Sequence, residues 1–281
     1  MAINASILAL ISGEWVAGSR LSDKLLDELL DEGLLSVVTR GSKKSYCARD
    51  IEALKRFLID KNEKYRILEI DTPDSRASMA TETGNSKLLM VRSCPGFLVN
   101  SYEPIECSLL GESFMVNPPE GSFVFIADWQ AFTILEDVTV IGIENMENFR
   151  LIRRQRRFFD EYLRAHGLPV RTFFVSRYPQ STDLRKWLTS ISNHYLHFGD
   201  FDLAGIHIFQ SEFEQYLGSS RSSFLIPNDI AARLASGSSQ RFDEQYNRFN
   251  NISSENQELQ KLINLIIHHR KGYDQEGYIN Q

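Results

Sequence analysis

The chain has 281 residues, 42% of them hydrophobic and 24% charged, a globular composition with enough apolar material for a sizeable core. Its net charge of −6 means that the chain as a whole is not an obvious polyanion binder, although a local basic face can still carry binding. Three scattered cysteines, Cys47, Cys94 and Cys107, form no CxxC pair, which argues against a disulfide framework or zinc site and for a reducing cytoplasm.

The first elements predicted are helix, helix, hairpin, helix. ASILALISGEW carries apolar residues at helical spacing and lacks the basic flank of a signal peptide. In the next helix Leu25, Leu26, Leu29 and Leu30 share a face behind a cap at Ser22 or Asp23, and Gly33 stops it. LLSVVTRGSKKSYCA reads as two strands around a turn at Gly41-Ser42, and DIEALKRFLIDKN as a further helix. Helices with a basic-tipped hairpin resemble a winged helix, with Arg40, Lys43 and Lys44 at the tip as candidate phosphate contacts. A solvated hairpin tip explains the same residues without function. No run approaches the ~18 apolar residues of a membrane span.

Residues 66–137 are expected to be strand-rich. RILEI, KLLMVRS, GFLVNSY, SFMVN and SFVFIA are short β-type runs separated by polar turns. The polar stretch DTPDSRASMATETGNS places a domain boundary near residue 75, giving segments 1–75, 76–137 and 138–281.

From residue 138 strands and helices alternate. DVTVIGIEN, PVRTFFVSRYP and YLHFGDFD read as strands, and NFRLIRRQRRFFDEYLRAHG, STDLRKWLTSISNH and AGIHIFQSEFEQYLG as helices. That order predicts an α/β domain, a parallel sheet with helices on both faces. The remainder is expected to be a polar, mostly helical extension.

Ligands of open α/β sheets gather beyond the carboxyl ends of the strands. Glu144 ends one such strand, and Asp200 and Asp202 end another. If those strands are neighbours, three carboxylates converge on a site suited to Mg²⁺ or Mn²⁺ and to phosphoryl transfer. Gly199 and Gly205 would let backbone or substrate approach. A strand-ending turn with a helix cap also uses Asp, so the pair alone does not define a metal site. Arg150, Arg153, Arg154 and Arg157 share a helical face and are candidate phosphate contacts, or a solvated face. Five histidines (His194, His197, His207, His268 and His269) lack a nearby cysteine; His207 is the best-placed general base.

A strand ending in Glu followed by one ending in D-x-D resembles the Toprim fold. IENMENF at 143–149 and FGDFDLAGIHI at 198–208 resemble the corresponding blocks of the JetD nuclease subunit of Wadjet systems, related to the A subunit of topoisomerase VI. RYPQSTDLRKWL at 177–188 resembles the segment between them, with Arg177 where glycine is usual. YDQEGYI at 273–279 is similar to the "EQE-x-I" ending, with Asp274 for the first Glu. The resemblance covers residues 137 onward, with a winged-helix domain expected before it.

The resemblance implies Mg²⁺-dependent endonuclease cleavage of double-stranded DNA by a homodimer, as the cutting subunit of an anti-plasmid or anti-phage defence system licensed by an SMC–kleisin-type motor. It makes Glu144, Asp200 and Asp202 the catalytic and metal residues. Glu276 becomes a late acidic ligand, and Asn145, Asn148 and Gln275 supporting residues. The relationship to topoisomerase VI raises an alternative, a transesterase using Tyr46 as nucleophile. A non-catalytic adaptor that binds DNA or a partner is the third reading.

Overall fold

The computed structural model describes residues 4–41, 43–62, 65, 68, 94–178 and 181–280. The chain divides into two compact units, Met1–Cys94 and Pro95–Gln281. The strands expected at 66–70 and 87–93, and the boundary expected near 75, lie outside the described residues, Leu68 excepted. No helix among the described residues is long and apolar enough to cross a membrane.

In the first unit the side chain of Asn4 accepts from Ser6 N and so starts helix α1 (Ala5–Ile11). Strand β1 (Val16–Ala17), helix α2 (Asp23–Asp31), strands β2 (Leu35–Arg40) and β3 (Lys43–Ala48), and helix α3 (Ile51–Lys61) follow. Asp50 caps α3 through Ala53 N at 3.0 Å. The three strands form an antiparallel sheet in the order β1-β3-β2, and the β2–β3 turn uses Gly41 at φ +61°. Side chains alternate across a strand. One face therefore turns Val16 and Tyr46 into a core with Ile7, Leu10, Leu54 and Leu58. On α2, Leu29 carries the burial while Leu30 faces solvent.

The second unit is mixed α/β. Its main sheet has six strands in the order β12-β11-β9-β10-β4-β7. Strands β9 (Thr139–Ile143), β10 (Thr172–Ser176), β11 (Tyr195–Phe198) and β12 (Ser222–Phe224) run parallel. The sheet is not wholly parallel as expected, because β4 (Phe97–Asn100) and β7 (Val124–Ile126) add to it antiparallel. All four residues of β4 are buried, so that strand gains more by joining the sheet than by remaining in a separate segment. Strands β5 (Ile105–Leu109), β6 (Glu112–Val116) and β8 (Phe132–Ile134) form a small antiparallel sheet.

Every residue of β9, β10 and β11 is buried, so both faces are covered. On one face Phe159 of helix α5 (Arg156–Ala165) packs on Phe174 and Phe198, at ring-centroid distances of 5.1 and 5.5 Å. On the other, Trp187 of helix α6 (Thr182–Ser190) packs near Phe173 and donates its indole N–H to Phe132 O at 2.9 Å. Helix α7 (Leu203–Ile208) runs on through a π-helical stretch, Phe209–Glu214, whose Phe213 lies 4.8 Å from the Tyr195 ring. Truncating one of these buried aromatics to alanine costs about 3–5 kcal/mol.

The single helix expected over 148–167 is broken into α4 (Met146–Arg150), a 3₁₀ turn at Ile152–Gln155 and α5. Helices α8 (Ile230–Ala235), α9 (Ser239–Phe249) and α10 (Gln257–His269) make up the rest. Arg270, at φ +51°, ends α10 and turns the chain back. Backbone bridges Phe201↔Tyr273 and Ser238↔Gly272 then pin residues 272 and 273 against the loop after β11 and the start of α9.

Candidate functional site

Strands β9 and β11 are parallel neighbours, with Ile143 opposite Phe198. Glu144 and the Gly199–Asp202 loop therefore leave the sheet side by side at its carboxyl edge, and Glu144 N donates to Phe198 O at 3.3 Å. A Cβ at Gly199 would lie 3.1 Å from the Glu144 carboxyl carbon, and one at Gly205 2.3 Å from Asp200 O. Gly205 thus makes room for the Asp200 backbone, whereas Gly199 makes room for side chains, those of Glu144 and His197.

Asp202 caps α7, its Oδ1 accepting from Gly205 N at 2.8 Å, as the turn-and-cap reading predicts. Its Oδ2 remains for other partners and accepts from Gln245 Nε2 at 2.8 Å and Arg241 Nη1 at 3.4 Å. The same guanidinium nitrogen donates to Asp200 Oδ2 at 2.9 Å and meets Asp274 Oδ1 at 2.5 Å. Asp200 Oδ1 accepts from Gln275 N at 3.1 Å. Burial pushes the Asp200 carboxyl up to about 6, with the charges of Asp202 and Asp274 adding to it. The Gln275 N–H and Arg241 oppose that rise without cancelling it.

The C-terminal turn, Gln275–Tyr278, ties this aspartate cluster to the end of β9. Gln275 Oε1 accepts from Asn145 N at 3.3 Å, and Glu276 Oε1 accepts from Asn145 Nδ2 at 2.5 Å. Glu276 Oε2 is buried with no partner among the described residues. Asn145 caps α4 through Glu147 N at 2.7 Å. Asn148, fully buried, donates to Gln275 O at 3.0 Å and to Gln155 Oε1 at 2.9 Å. The two asparagines and Gln275 therefore support the loops.

Glu144 Oε1 meets His197 Nε2 at 2.9 Å, and His197 Nδ1 meets the Tyr195 hydroxyl at 2.9 Å. At the end of β10, Arg177 pairs with Glu212 of the π-helical stretch at 3.1 Å. His207 lines a separate cleft with Ser211, Arg248 and Phe249.

The break at Leu151 disperses the arginines. Arg153 donates to Tyr102 O, Asn117 and Pro118 O, and Arg154 pairs with Glu120 at 2.7 Å. Arg157, largely exposed, pairs with Glu161 at 2.7 Å, and Arg150, also exposed, lies 4.0 Å from Glu147. In the first unit Arg40, Lys43 and Lys44 are all exposed, and Tyr46 is buried in the core. Trp15, 52% exposed, joins Val38, Arg40, Lys43 and Ser45 around a cleft of about 510 Å³.

Sequence reasoning gave no site role to Arg241 or Trp15, named Asp274 only as a motif position, and weighed His197 only among the scattered histidines. No motif marks Arg241, which lies 41 residues from Asp200. His197 gave a fainter signal, two residues after Tyr195 on one strand face.

A family model described as a domain of unknown function (DUF7281) matches residues 176–281, the stretch with the aspartate pair, Arg241 and the C-terminal turn. No curated protein matches the chain.

Among the described residues no three His, Cys, Asp or Glu side chains form a ready metal cage; the cation among the three aspartates is the Arg241 guanidinium. The oxygen donors present are of the chemical kind that a hard divalent ion takes. They are carboxylate oxygens, one of which, Glu276 Oε2, is buried and without a hydrogen-bond partner among the described residues.

Proposed function

We propose that this chain is a Toprim-type, Mg²⁺- or Mn²⁺-dependent DNA endonuclease, with Glu144, Asp200 and Asp202 as its catalytic carboxylates. The observation that carries the reading is the parallel pairing of β9 with β11, which sets Glu144 beside the aspartate pair at the sheet's carboxyl edge. When bound, the ion would activate water and offset charge on the scissile phosphate. Asp202 is fixed by its cap and by Gln245, and Asp200 by the Gln275 N–H. Glu276 stands by as a further oxygen donor. Arg241, already clamped to the aspartates, would offer an incoming phosphate a positive contact.

Arg40, Lys43, Lys44 and Trp15 of the first unit, taken as a winged-helix-like domain, offer phosphate and base contacts to DNA. Arg157, with 82% of its side chain exposed, is the most solvated of the group's ion-paired arginines, and Arg150, held by Glu147 only at 4.0 Å, is the other best placed to add phosphate contacts. The likeness to JetD extends the reading to a homodimer that cuts on a signal from an SMC–kleisin-type motor in anti-plasmid defence. The test is plasmid nicking with Mg²⁺ or Mn²⁺, with the motor complex supplied. Loss of cutting in Asp200→Ala and Glu144→Ala supports the reading, and undiminished cutting in either refutes it.

One observation favours a second reading, a non-catalytic adaptor. Arg241 already pairs with all three aspartates, as a permanent counter-ion would. Divalent-ion binding separates the two. The Tyr46 transesterase has no such support, since that tyrosine is buried.

A further inference from the structure

The side chain of Tyr195 is fully buried, and among the described residues its hydroxyl has one partner, His197 Nδ1. Burial, reinforced by the charge of Glu144, holds this phenol well above its ordinary range, so it keeps its proton. A buried O–H must be donated to an acceptor, and Nδ1 is the one within reach. Nδ1 therefore accepts, and the ring proton sits on Nε2, which donates it to Glu144 Oε1 at 2.9 Å. Phe209, Phe213 and Phe224 surround the imidazole with ring centroids 5.3–5.5 Å away. They leave it no competing polar partner. Glu144 Oε1 is thus tied, while Oε2 has no hydrogen-bond partner among the described residues.

Two glycines clear the space for this chain of contacts. A Cβ at Gly142 would lie 2.0 Å from the Tyr195 hydroxyl, and one at Gly199 2.9 Å from His197 Nε2. Neither has a positive φ, so room, and not backbone conformation, explains both. VIGIEN and HFGD each place a glycine two residues from a member of the relay: Gly142 from Glu144, and Gly199 from His197.

We propose that Tyr195 and His197 are positioning residues that fix Glu144 in one orientation, with Oε1 held by the relay and Oε2 offered to the divalent ion. This inference rests on the metal-dependent reading above. Buried partners of this kind orient ligands in metal sites, and their loss weakens metal affinity about 10–100-fold. A merely structural Tyr–His–Glu triad would affect stability and leave metal affinity unchanged.

The test uses the full chain, Mn²⁺ binding followed by electron paramagnetic resonance of the free ion, and ¹⁵N NMR of the histidine rings. The wild type is expected to show the Nε2–H tautomer at His197. Tyr195→Phe removes one oxygen and is expected to weaken Mn²⁺ binding about 10-fold and to disturb that tautomer. His197→Gln, which keeps a donor near the Nε2 position, is expected to bind Mn²⁺ more tightly than His197→Ala. If the wild type binds Mn²⁺ and Tyr195→Phe and His197→Ala bind it equally well, the positioning role is overturned. A wild type that takes up no Mn²⁺ overturns the metal site itself, and with it the role given to the relay.

Discussion

Arg241 donates Nη1 to Asp200 Oδ2 at 2.9 Å, and from that one position also meets Asp202 and Asp274. The guanidinium holds the place of a cation among three carboxylates brought together from the loop after β11 and the start of the turn at 275–278. A divalent ion bound there must compete with it. In Arg241→Gln the apo protein is expected to lose about 1–2 kcal/mol, discounted for the partial exposure of the arginine. The same variant should gain more thermal stability than the wild type on adding Mn²⁺, because the competitor is gone. Thermal melts with and without Mn²⁺ measure both effects. A variant whose Mn²⁺-induced shift is smaller than that of the wild type would make Arg241 a partner of the ion, not its rival.

The raised carboxyl of Asp200 gives stability a pH dependence. Its folded value is about 6 against 3.8 for the free side chain, so the folded state holds this proton more tightly than the unfolded chain. The stability contributed is fully present below about pH 4 and is lost as pH rises through about 6. Asp200→Asn removes the dependence. Between pH 4 and 7 the apo wild type should lose stability relative to Asp200→Asn, by about 1–2 kcal/mol. Paired urea melts across that range give the difference directly, and a constant difference would contradict the assignment.

Gly205 is the tightest backbone approach in the aspartate loop. A Cβ there meets the Asp200 carbonyl at 2.3 Å, and a carbonyl cannot swing aside as a side chain can. Gly205→Ala is expected to cost about 2–3 kcal/mol and to shift the start of α7 away from Asp202. Gly33→Ala, by contrast, meets no neighbouring atom, and its cost comes from a φ of +67° alone. Urea melts of the two variants separate crowding from backbone strain.

The outer face of the first unit's sheet joins an exposed Trp15 to Arg40 and Lys43. Cations set the salt dependence of nucleic-acid binding, and aromatic stacking does not. Lys43→Ala should therefore weaken duplex binding and reduce the slope of log affinity against log salt by about 1. Trp15→Ala should weaken binding with the slope unchanged. Fluorescence anisotropy of labelled DNA at several salt concentrations distinguishes them. Unaltered binding in both variants would remove this face from the interface.

What could be read from sequence was local. The apolar run of VIGI, the glycines around the aspartates and the alternation of strands with helices each depend on neighbours in the chain. They placed Glu144, Asp200 and Asp202 at strand ends, where the structure has them. The antiparallel entry of β4 was not legible, because FLVN carries no mark of which strand it will pair with. The long arginine helix failed because its periodicity ignores the turn at Leu151, where residues 152–155 tighten into 3₁₀ geometry and bury Gln155 against Asn148. Asp274, a position of the C-terminal motif, is brought to the site by the bridge at 201, but Arg241 reaches it only through α9. Those are contacts of tertiary packing, and a charged residue on a polar helix gives no hint of them. His197 looked like one more buried strand residue until the register with β9 set it beside Glu144.

The most direct test of the central claim is calorimetric titration of Mn²⁺ into the full chain, wild type against Asp202→Asn. The asparagine can keep the α7 cap through its carbonyl oxygen, so the fold survives while the carboxylate is lost. The account predicts saturable Mn²⁺ binding by the wild type and its loss in Asp202→Asn. Equal binding by the two proteins, or none by the wild type, would contradict it.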